Sequence, residues 1–265
     1  MGADNNIFGA GKGFIIGMVH CAPLLGTPGF CGDFDAVVAR AAADALTLEK
    51  AGCDAVCVEN MGDAPFAALL DTEQLCGLSI IAAAVKNAVR LPVGIDAAFN
   101  DCKASLSIAR LIGGAFVRIP VFVDTVVFYG GAITPCAREC MQFRQKIGAQ
   151  SVKVFADIHV KHTHMLLSRV TVEDSARAAC ECGADAVIVT GTRIGAQTPL
   201  ETVSRVKNAV KIPVIIGSGV NKSNIAEQLK VGDGAIIGSG LKEDGDINNP
   251  VSLKLAKELI QQIKK

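Results

Sequence analysis

Four stretches of the chain read AGCDAV (residues 51–56), IGGAFV (112–117), CGADAV (182–187) and VGDGAI (231–236). Each joins the end of an Ala-rich or charge-bearing stretch, through a glycine, to the start of an apolar run. This is the pattern of a helix that ends at glycine and is followed by a strand. Because the pattern recurs along the chain, it predicts a repeated unit of one β-strand and one α-helix.

The same pattern, followed outwards, gives eight strands and eight helices in alternation. The predicted strands are 14–20, 54–60, 92–96, 115–119, 151–157, 185–190, 213–217 and 234–238; the predicted helices are 35–51, 72–89, 102–112, 135–147, 172–182, 200–210, 222–229 and 250–263. The strands read as continuous apolar runs, which is typical of parallel strands buried on both faces. A doubly wound open sheet would also alternate, but eight units without an obvious edge strand favour a single (β/α)8 barrel.

One domain accounts for the length of the chain. The chain has 265 residues, of which 50% are hydrophobic, and α/β barrels routinely reach about 250 residues as one unit. Residues 1–13 are rich in Gly and Asn and are predicted to form a flexible N-terminal arm. Residues 14–265 are predicted to form the barrel domain, with no linker and no second domain.

Charge and cysteine usage narrow the classes of partner and compartment. The formal net charge is +0, so nothing points to nucleic acid, and no apolar run approaches the roughly 18–20 residues that cross a membrane. The 10 cysteines fall largely in apolar segments, and residues 1–13 lack an apolar signal-peptide region. We therefore expect reduced thiols in a cytoplasmic protein. Their spacing matches no zinc knuckle. A homo-oligomer is compatible with the fold, although no interface signature stands out.

Polar residues at the carboxyl ends of the strands are the candidates for the active site, because the loops on that face of a parallel barrel carry the chemistry. The catalytic candidates are His20, Glu59, Asp96, Asp157 and His159, and the substrate-binding candidates are Asn60, Arg118, Lys161, Thr190 and Thr192. Three of the four histidines lie in HVKHTH (159–164), and imidazole titrates near neutral pH. Asp157 and His159 are two residues apart, so both are expected to point inward if the fifth strand extends that far. Structural interpretations stay open: Glu59 pairs with Arg118, or His20 is a satisfied core histidine.

Two glycine-serine turns predict a phosphate site. Gly217-Ser218-Gly219 follows strand seven and Gly238-Ser239-Gly240 follows strand eight, the two positions where barrels often bind phosphate. Glycine lets backbone N–H groups approach an anion, and serine hydroxyls donate further hydrogen bonds. The alternative is that these glycines only permit tight turns between strand and helix.

Several segments also resemble a known family. IIGMVHCAPLLGTPG (15–29), GCDAVCVEN (52–60), PVGIDAAFND (92–101), DIHVKHTH (157–164), ADAVIVTGTRIG (184–195) and IPVIIGSGVNKSNI (212–225) are similar to the BtpA family of TIM-barrel proteins, also called SgcQ-like. The likeness runs from Phe14 to Leu241. It implies a phosphate-binding barrel enzyme whose reaction is undefined. It also implies relatives linked to photosystem I accumulation and to sugar-phosphate gene clusters.

Three functional hypotheses are compatible with these residues. The first is an enzyme that acts on a small phosphorylated metabolite, a sugar phosphate or a nucleoside-derived phosphate. Glu59, Asp157 and His159 would transfer protons in an isomerisation, epimerisation or lyase reaction. Imine chemistry ranks lower because Lys161 is in a loop. The second is metal-assisted hydrolysis, with a divalent ion held by His20, Glu59, Asp157 and His159. The third is a non-enzymatic assembly factor, of the kind needed for photosystem I biogenesis, that keeps a barrel by descent.

Overall fold

Eight parallel strands close into a barrel in the computed structural model, which describes residues 13–191 and 197–263. The barrel strands, β1 to β8 in chain order, are Phe14–His20, Ala55–Glu59, Val93–Asp96, Phe116–Ile119, Lys153–Ile158, Ala186–Val189, Val214–Ile216 and Gly234–Ile237. Each strand pairs with the next one along the chain, and β8 pairs with β1. The predicted (β/α)8 barrel is therefore confirmed. The predicted arm lies outside the described residues except for Gly13.

Eight helices surround the barrel. They are α1 Phe34–Ala51, α2 Thr72–Ala88, α3 Cys102–Ile112, α4 Ala137–Lys146, α5 Val172–Glu181, α6 Leu200–Ala209, α7 Ile225–Val231 and α8 Leu253–Ile260. The bounds of α7 and α8 differ most from the prediction: α7 begins three residues late, and α8 is three residues shorter at each end. The Asn221 side chain accepts hydrogen bonds from the backbone N–H and the hydroxyl of Ser223. This local turn competes with the first helical turn, so α7 begins three residues later than predicted.

Two apolar layers hold the barrel together. The barrel interior is filled by side chains such as Ile16, Cys57, Phe116, Phe155 and Ile236, and a larger layer packs between the strands and the helices. The Phe116 and Phe155 rings stack with centroids 4.7 Å apart. A Cβ atom at Gly94 would lie 2.2 Å from the Phe116 ring, so only glycine fits at that interior position of β3.

Aspartates at the amino ends of the strands tie neighbouring strands together. The Ile15 N–H donates to Asp54 Oδ2 at 2.7 Å, the Val154 N–H to Asp185 Oδ2 at 2.9 Å, and the Val214 N–H to Asp233 Oδ2 at 2.8 Å. These carboxylates lie at the end of the barrel opposite the predicted site, the end that serves stability in barrels of this type.

A small antiparallel sheet covers part of the mouth, in a region where the sequence indicates only a long loop. Its strands are Val126–Phe128, Gly131–Ile133 and His164–Met165, and we call it the cap sheet. Buried side chains of Val121, Val126, Ile133 and Val160 form a separate apolar cluster beneath it. The cap sheet therefore fixes the loops that follow β4 and β5.

All ten cysteines are free thiols in the structure, and six of them are buried as small core residues: Cys21, Cys53, Cys57, Cys102, Cys136 and Cys140. Cys31, Cys76 and Cys182 are exposed and Cys180 is half-buried, so the expected core role is wrong for these four. Within the described ranges, no helix has both the length and the apolar character needed to cross a lipid bilayer.

Asp185→Ala is expected to lower the free energy of unfolding by about 1.5–3 kcal/mol, because hydrogen bonds to a charged acceptor contribute about that much. The change leaves the Val154 N–H and the Lys153 ammonium without their partner. Asp185→Asn keeps an oxygen acceptor, so its free energy of unfolding should fall less than that of Asp185→Ala. Urea unfolding curves test this, and equal midpoints for the wild type and the alanine variant would contradict it.

Candidate active site

Five ionisable side chains form a layer at the carboxyl end of the barrel. His20, Glu59 and Asp96 are the last residues of β1, β2 and β3, while Arg118 and Asp157 are next to last in β4 and β5. Each lies two residues beyond a side chain or glycine of the interior, and side chains of a strand alternate between its two faces. The five side chains therefore point into the barrel mouth, as predicted from their positions.

Arg118 is the central cation of this layer. Its guanidinium donates to both oxygens of Asp157, at 2.9 Å from Nε and 2.8 Å from Nη2, and Nε lies 3.6 Å from Asp96 Oδ2. All three side chains are buried. The sequence predicts that Asp157 transfers protons. Because both of its oxygens bind Arg118, this geometry instead favours a role in holding the arginine in place.

Glu59 and His20 form a second pair, with His20 Nε2 3.5 Å from Glu59 Oε2. Burial raises the pKa of the Glu59 carboxyl, an effect that nearby Arg118 and Lys161 partly offset. Burial, together with nearby Lys242 and Lys161, lowers the pKa of His20 to about 3. The pair therefore consists of a neutral imidazole and a carboxyl group that holds its proton to higher pH than usual.

Asp96 has one carboxyl oxygen without a partner. Its Oδ1 atom is buried and has no hydrogen bond to any residue in the described ranges. Burial, followed by the charge of Glu59, raises the pKa of Asp96 well above its ordinary value. A protonated carboxylic acid of this kind both donates and accepts a hydrogen bond.

Three side chains of the ionisable layer, those of His20, Glu59 and Arg118, line one pocket together with both glycine-serine turns, and this pocket measures about 480 Å³ including its open mouth. We call it the phosphate pocket, after the ligand that the sequence predicts at those turns. Its lining includes His20, Glu59, Arg118, Lys161, Gly217, Ser218, Gly219, Gly238, Ser239 and Gly240. The structure thus brings together residues from β1, β2, β4 and β5 with the turns after β7 and β8. This convergence is the arrangement that the sequence predicts.

The glycines of these turns also have packing roles. A Cβ atom at Gly217 would lie 2.4 Å from the Ile188 side chain, one at Gly240 2.4 Å from the Val220 carbonyl oxygen, and one at Gly238 2.6 Å from the His20 ring. Gly219 has a φ of 65°, a conformation that favours glycine. Close packing therefore explains part of the glycine pattern, and it seats the His20 ring directly against the turn after β8.

Lys161 lies in the pocket although it follows the end of β5. Its backbone N–H donates to Thr190 Oγ1 at 3.1 Å, so Thr190 holds the Lys161 loop and does not itself line the phosphate pocket. Burial and the neighbouring Arg118 lower the pKa of the Lys161 ammonium. The loop position for which imine chemistry ranks lower is, in the barrel, a position in the lining of this pocket.

Five predicted site residues that the structure describes do not line the phosphate pocket: Asp96, Asp157, Thr190, His159 and Asn60. Asp96 and Asp157 contact Arg118 instead, and Thr190 holds the Lys161 loop. His159 has a φ of 47° and its N–H donates to Asp124 Oδ2; this turn ends the strand alternation on which its inward orientation depended. The Asn60 amide is bonded to the backbone of Ala98, on both its oxygen and its nitrogen, and to Asp63, so it holds the loop after β3. Thr192 lies outside the described residues.

No group of three or more His, Cys, Asp or Glu side chains in residues 13–191 and 197–263 has the geometry to hold a metal ion. His20, Glu59, Asp157 and His159, the donor set of the hydrolase hypothesis, therefore do not converge on one point. The Arg118 guanidinium and the Lys161 ammonium also lie in the mouth, and cations oppose the binding of a divalent cation.

Comparison with known proteins supports the resemblance noted in the sequence. The family model described as "BtpA family" matches residues 12–265. The chain belongs to the BtpA family. Relatives in other organisms include an uncharacterised protein of Pyrococcus furiosus, 43% identical over 93% of each chain. The photosystem I biogenesis protein BtpA of Synechocystis is 33% identical over 89% of this chain and 83% of its own.

Solved structures share the fold with this BtpA family member at low sequence identity. Tryptophan synthase of Mycobacterium tuberculosis aligns with a TM-score of 0.66 at 16% identity, covering 96% of this chain and 93% of its own. Thiamine phosphate pyrophosphorylase of Pyrococcus furiosus aligns with a TM-score of 0.59 at 15% identity, covering 96% of each chain. N-(5′-phosphoribosyl)anthranilate isomerase of Pyrococcus furiosus aligns with a TM-score of 0.57 at 16% identity, covering 95% of this chain and 98% of its own.

The free energy of unfolding should depend on pH through His20. Unfolded chains bind a proton at His20 near pH 6.5, whereas the folded protein binds it only near pH 3. Stability from this residue is therefore complete above pH 6.5 and is lost as the pH falls, by about 1.4 kcal/mol per pH unit. His20→Gln should reduce the slope of the free energy of unfolding against pH by that amount between pH 6 and 4, as measured by urea unfolding at each pH. Above pH 7.5 the curves of the wild type and the variant should run parallel. Equal slopes for the two proteins below pH 6 would contradict the lowered pKa of His20.

Proposed function

We propose that this protein is an enzyme that binds the phosphate group of a small metabolite and transfers a proton on the rest of that molecule. The observation that carries the proposal is the phosphate pocket itself, where Glu59 and His20 face the same space as both glycine-serine turns. An anion on the turns and a carbon acid near Glu59 would fill one continuous site. Isomerisation or epimerisation is the reaction class that these groups fit best.

Each group has a chemical task in this reaction. Glu59 accepts and returns a proton, and its raised pKa brings the carboxyl closer to the operating pH, where a general base is most effective. The negative charge that forms on the substrate oxygen is stabilised by Arg118 and Lys161, which line the same pocket. Neutral His20, 3.5 Å from Glu59, is placed to donate a hydrogen bond or relay the proton.

The glycine-serine turns are the proposed phosphate site. Phosphate sits in barrels beside the turns after strands seven and eight, where backbone N–H groups and a short helix favour an anion. The names of thiamine phosphate pyrophosphorylase and N-(5′-phosphoribosyl)anthranilate isomerase, which share this fold, include phosphorylated compounds. They support a phosphorylated ligand here by analogy alone.

A non-enzymatic assembly role is the other candidate, because the Synechocystis relative is named for photosystem I biogenesis. A scaffold would have a filled or apolar mouth. The buried charges and the open phosphate pocket of this chain favour an enzyme instead. The cytoplasmic location and the homo-oligomer stay predictions.

Gly219→Val is expected to weaken the binding of inorganic phosphate by about tenfold or more, equivalent to about 1.4 kcal/mol, because a side chain at φ 65° distorts the turn after β7. Gly148→Val is the matched control: Gly148 has a φ of 66° in the turn after α4, so it carries similar backbone strain away from the mouth. Isothermal titration calorimetry measures both. Equal affinities for the two variants would contradict the phosphate site.

Glu59→Gln should slow proton transfer while leaving ligand binding intact. A thermal-shift screen with phosphorylated metabolites first identifies ligands, since one present at 100 times its dissociation constant adds about 2.7 kcal/mol. NMR then follows deuterium incorporation at carbon for these ligands in D₂O. The wild type should catalyse the exchange, and the glutamine variant should be slower by about 10²–10⁴. A screen without ligands, or exchange that Glu59→Gln does not slow, would contradict the proposal.

A further inference from the structure

A second pocket opens from the barrel mouth beside the phosphate pocket. It encloses about 790 Å³ including its opening, and we call it the ring pocket. The two pockets share four lining residues: Glu59, Met61, Arg118 and Lys161. A ligand anchored on the glycine-serine turns can therefore extend past Glu59 into the ring pocket without leaving the mouth.

Aromatic side chains form the walls of the ring pocket. They are Phe66 from the loop after β2, Phe99 from the loop after β3, and Phe128 and Tyr129 from the cap sheet. The Phe99 and Phe128 rings stack with centroids 4.9 Å apart, and the Phe128 and Tyr129 centroids are 4.6 Å apart. The Phe66 N–H donates to Tyr129 Oη at 2.7 Å. Loops from three different βα units are thus joined into one aromatic surface.

The core of the protein covers only part of this aromatic surface. Phe99 and Phe128 pack on one side against the apolar cluster beneath the cap sheet, but both are only half-buried. Tyr129 is the only tyrosine in the chain and is 69% exposed. Rings that served the core alone would be covered, whereas these line an open space.

The ring pocket also has a polar end. Asp96 lines it, and the buried Oδ1 atom of Asp96 has no partner among the described residues. A buried polar atom without a hydrogen bond is costly and is commonly satisfied by a ligand or water. A carboxyl group that both donates and accepts matches the edge of a heteroaromatic ring, where donors and acceptors stand side by side.

We propose that the ring pocket binds a planar heteroaromatic ring of the nucleobase type, stacked on Phe99, Phe128 and Tyr129 with its polar edge on Asp96. This inference rests on the proposed function, because the ring belongs to the same phosphorylated substrate. It names the substrate class as a nucleoside monophosphate or a close analogue. A ring-free sugar phosphate would leave the aromatic walls and Asp96 unoccupied.

Calorimetric titration of the whole protein tests the inference with defined probes: inorganic phosphate, ribose 5-phosphate, and the four ribonucleoside 5′-monophosphates. At least one nucleotide should bind about tenfold or more tightly than ribose 5-phosphate, since stacking of a base on an aromatic side chain has an effect of this order. Tyr129→Ser and Phe128→Leu should each remove much of that difference and leave the affinity for ribose 5-phosphate unchanged.

Phe143→Leu is the matched control, because Phe143 is a half-buried phenylalanine of α4 that lines neither pocket at the mouth. Tyr129→Ser alters an exposed side chain, so it remains informative if Phe128→Leu does not fold.

The outcomes separate the two proposals. If ribose 5-phosphate binds and no nucleotide binds more tightly, the ring pocket assignment is overturned while the phosphate site stands. If Tyr129→Ser and Phe143→Leu change nucleotide affinity equally, the assignment is also overturned. If neither inorganic phosphate nor any phosphorylated probe binds, the proposed function itself fails.

Discussion

A buried arginine determines the chemistry of the barrel mouth. Arg118 lies inside the barrel and needs a counter-charge, since an isolated buried ion is strongly disfavoured. Asp157 supplies it through two hydrogen bonds. Glu59 and Asp96 are then additional acids in the same buried layer, and burial raises the pKa of both. The ion pair thus makes Asp157 the fixed partner of Arg118, whereas the carboxyl groups of Glu59 and Asp96 hold their protons to higher pH than usual.

The ionisable layer also divides the mouth into two parts with different chemistry. On one side are the glycine-serine turns, which offer backbone N–H groups and hydroxyls; on the other are the aromatic walls of the ring pocket. Glu59, Arg118 and Lys161 border both. A substrate with a phosphate at one end and a ring at the other would place its central atoms against these three groups, where a proton can be moved and charge stabilised.

The sequence predicts the barrel, and the meeting of its strand ends with the two glycine-serine turns, because both depend on local signals. Each glycine junction marks a helix end, and closure then brings the strand ends together. What it could not predict depends on contacts between distant residues. The Asn60 side chain accepts a hydrogen bond from the backbone of Ala98, 38 residues away, and the Thr190 hydroxyl accepts one from the backbone of Lys161, 29 residues away. The positive φ of His159 removes it from the strand alternation that predicted an inward side chain. Cap-sheet strands of two or three residues carry too little periodicity to be recognised.

Strands and loops contribute different parts of the mouth. The ionisable groups Glu59, Asp96 and Arg118 lie on barrel strands, whose positions are fixed by interior packing. The aromatic walls come instead from loops and the cap sheet, which tolerate insertion and substitution far better than a barrel strand does. A change in Phe66, Phe99 or Tyr129 would therefore alter the ring pocket without moving Arg118 or its partner. Under the proposed function, the proton-transfer chemistry would depend on the barrel, and the choice of ligand on the segments added at its mouth.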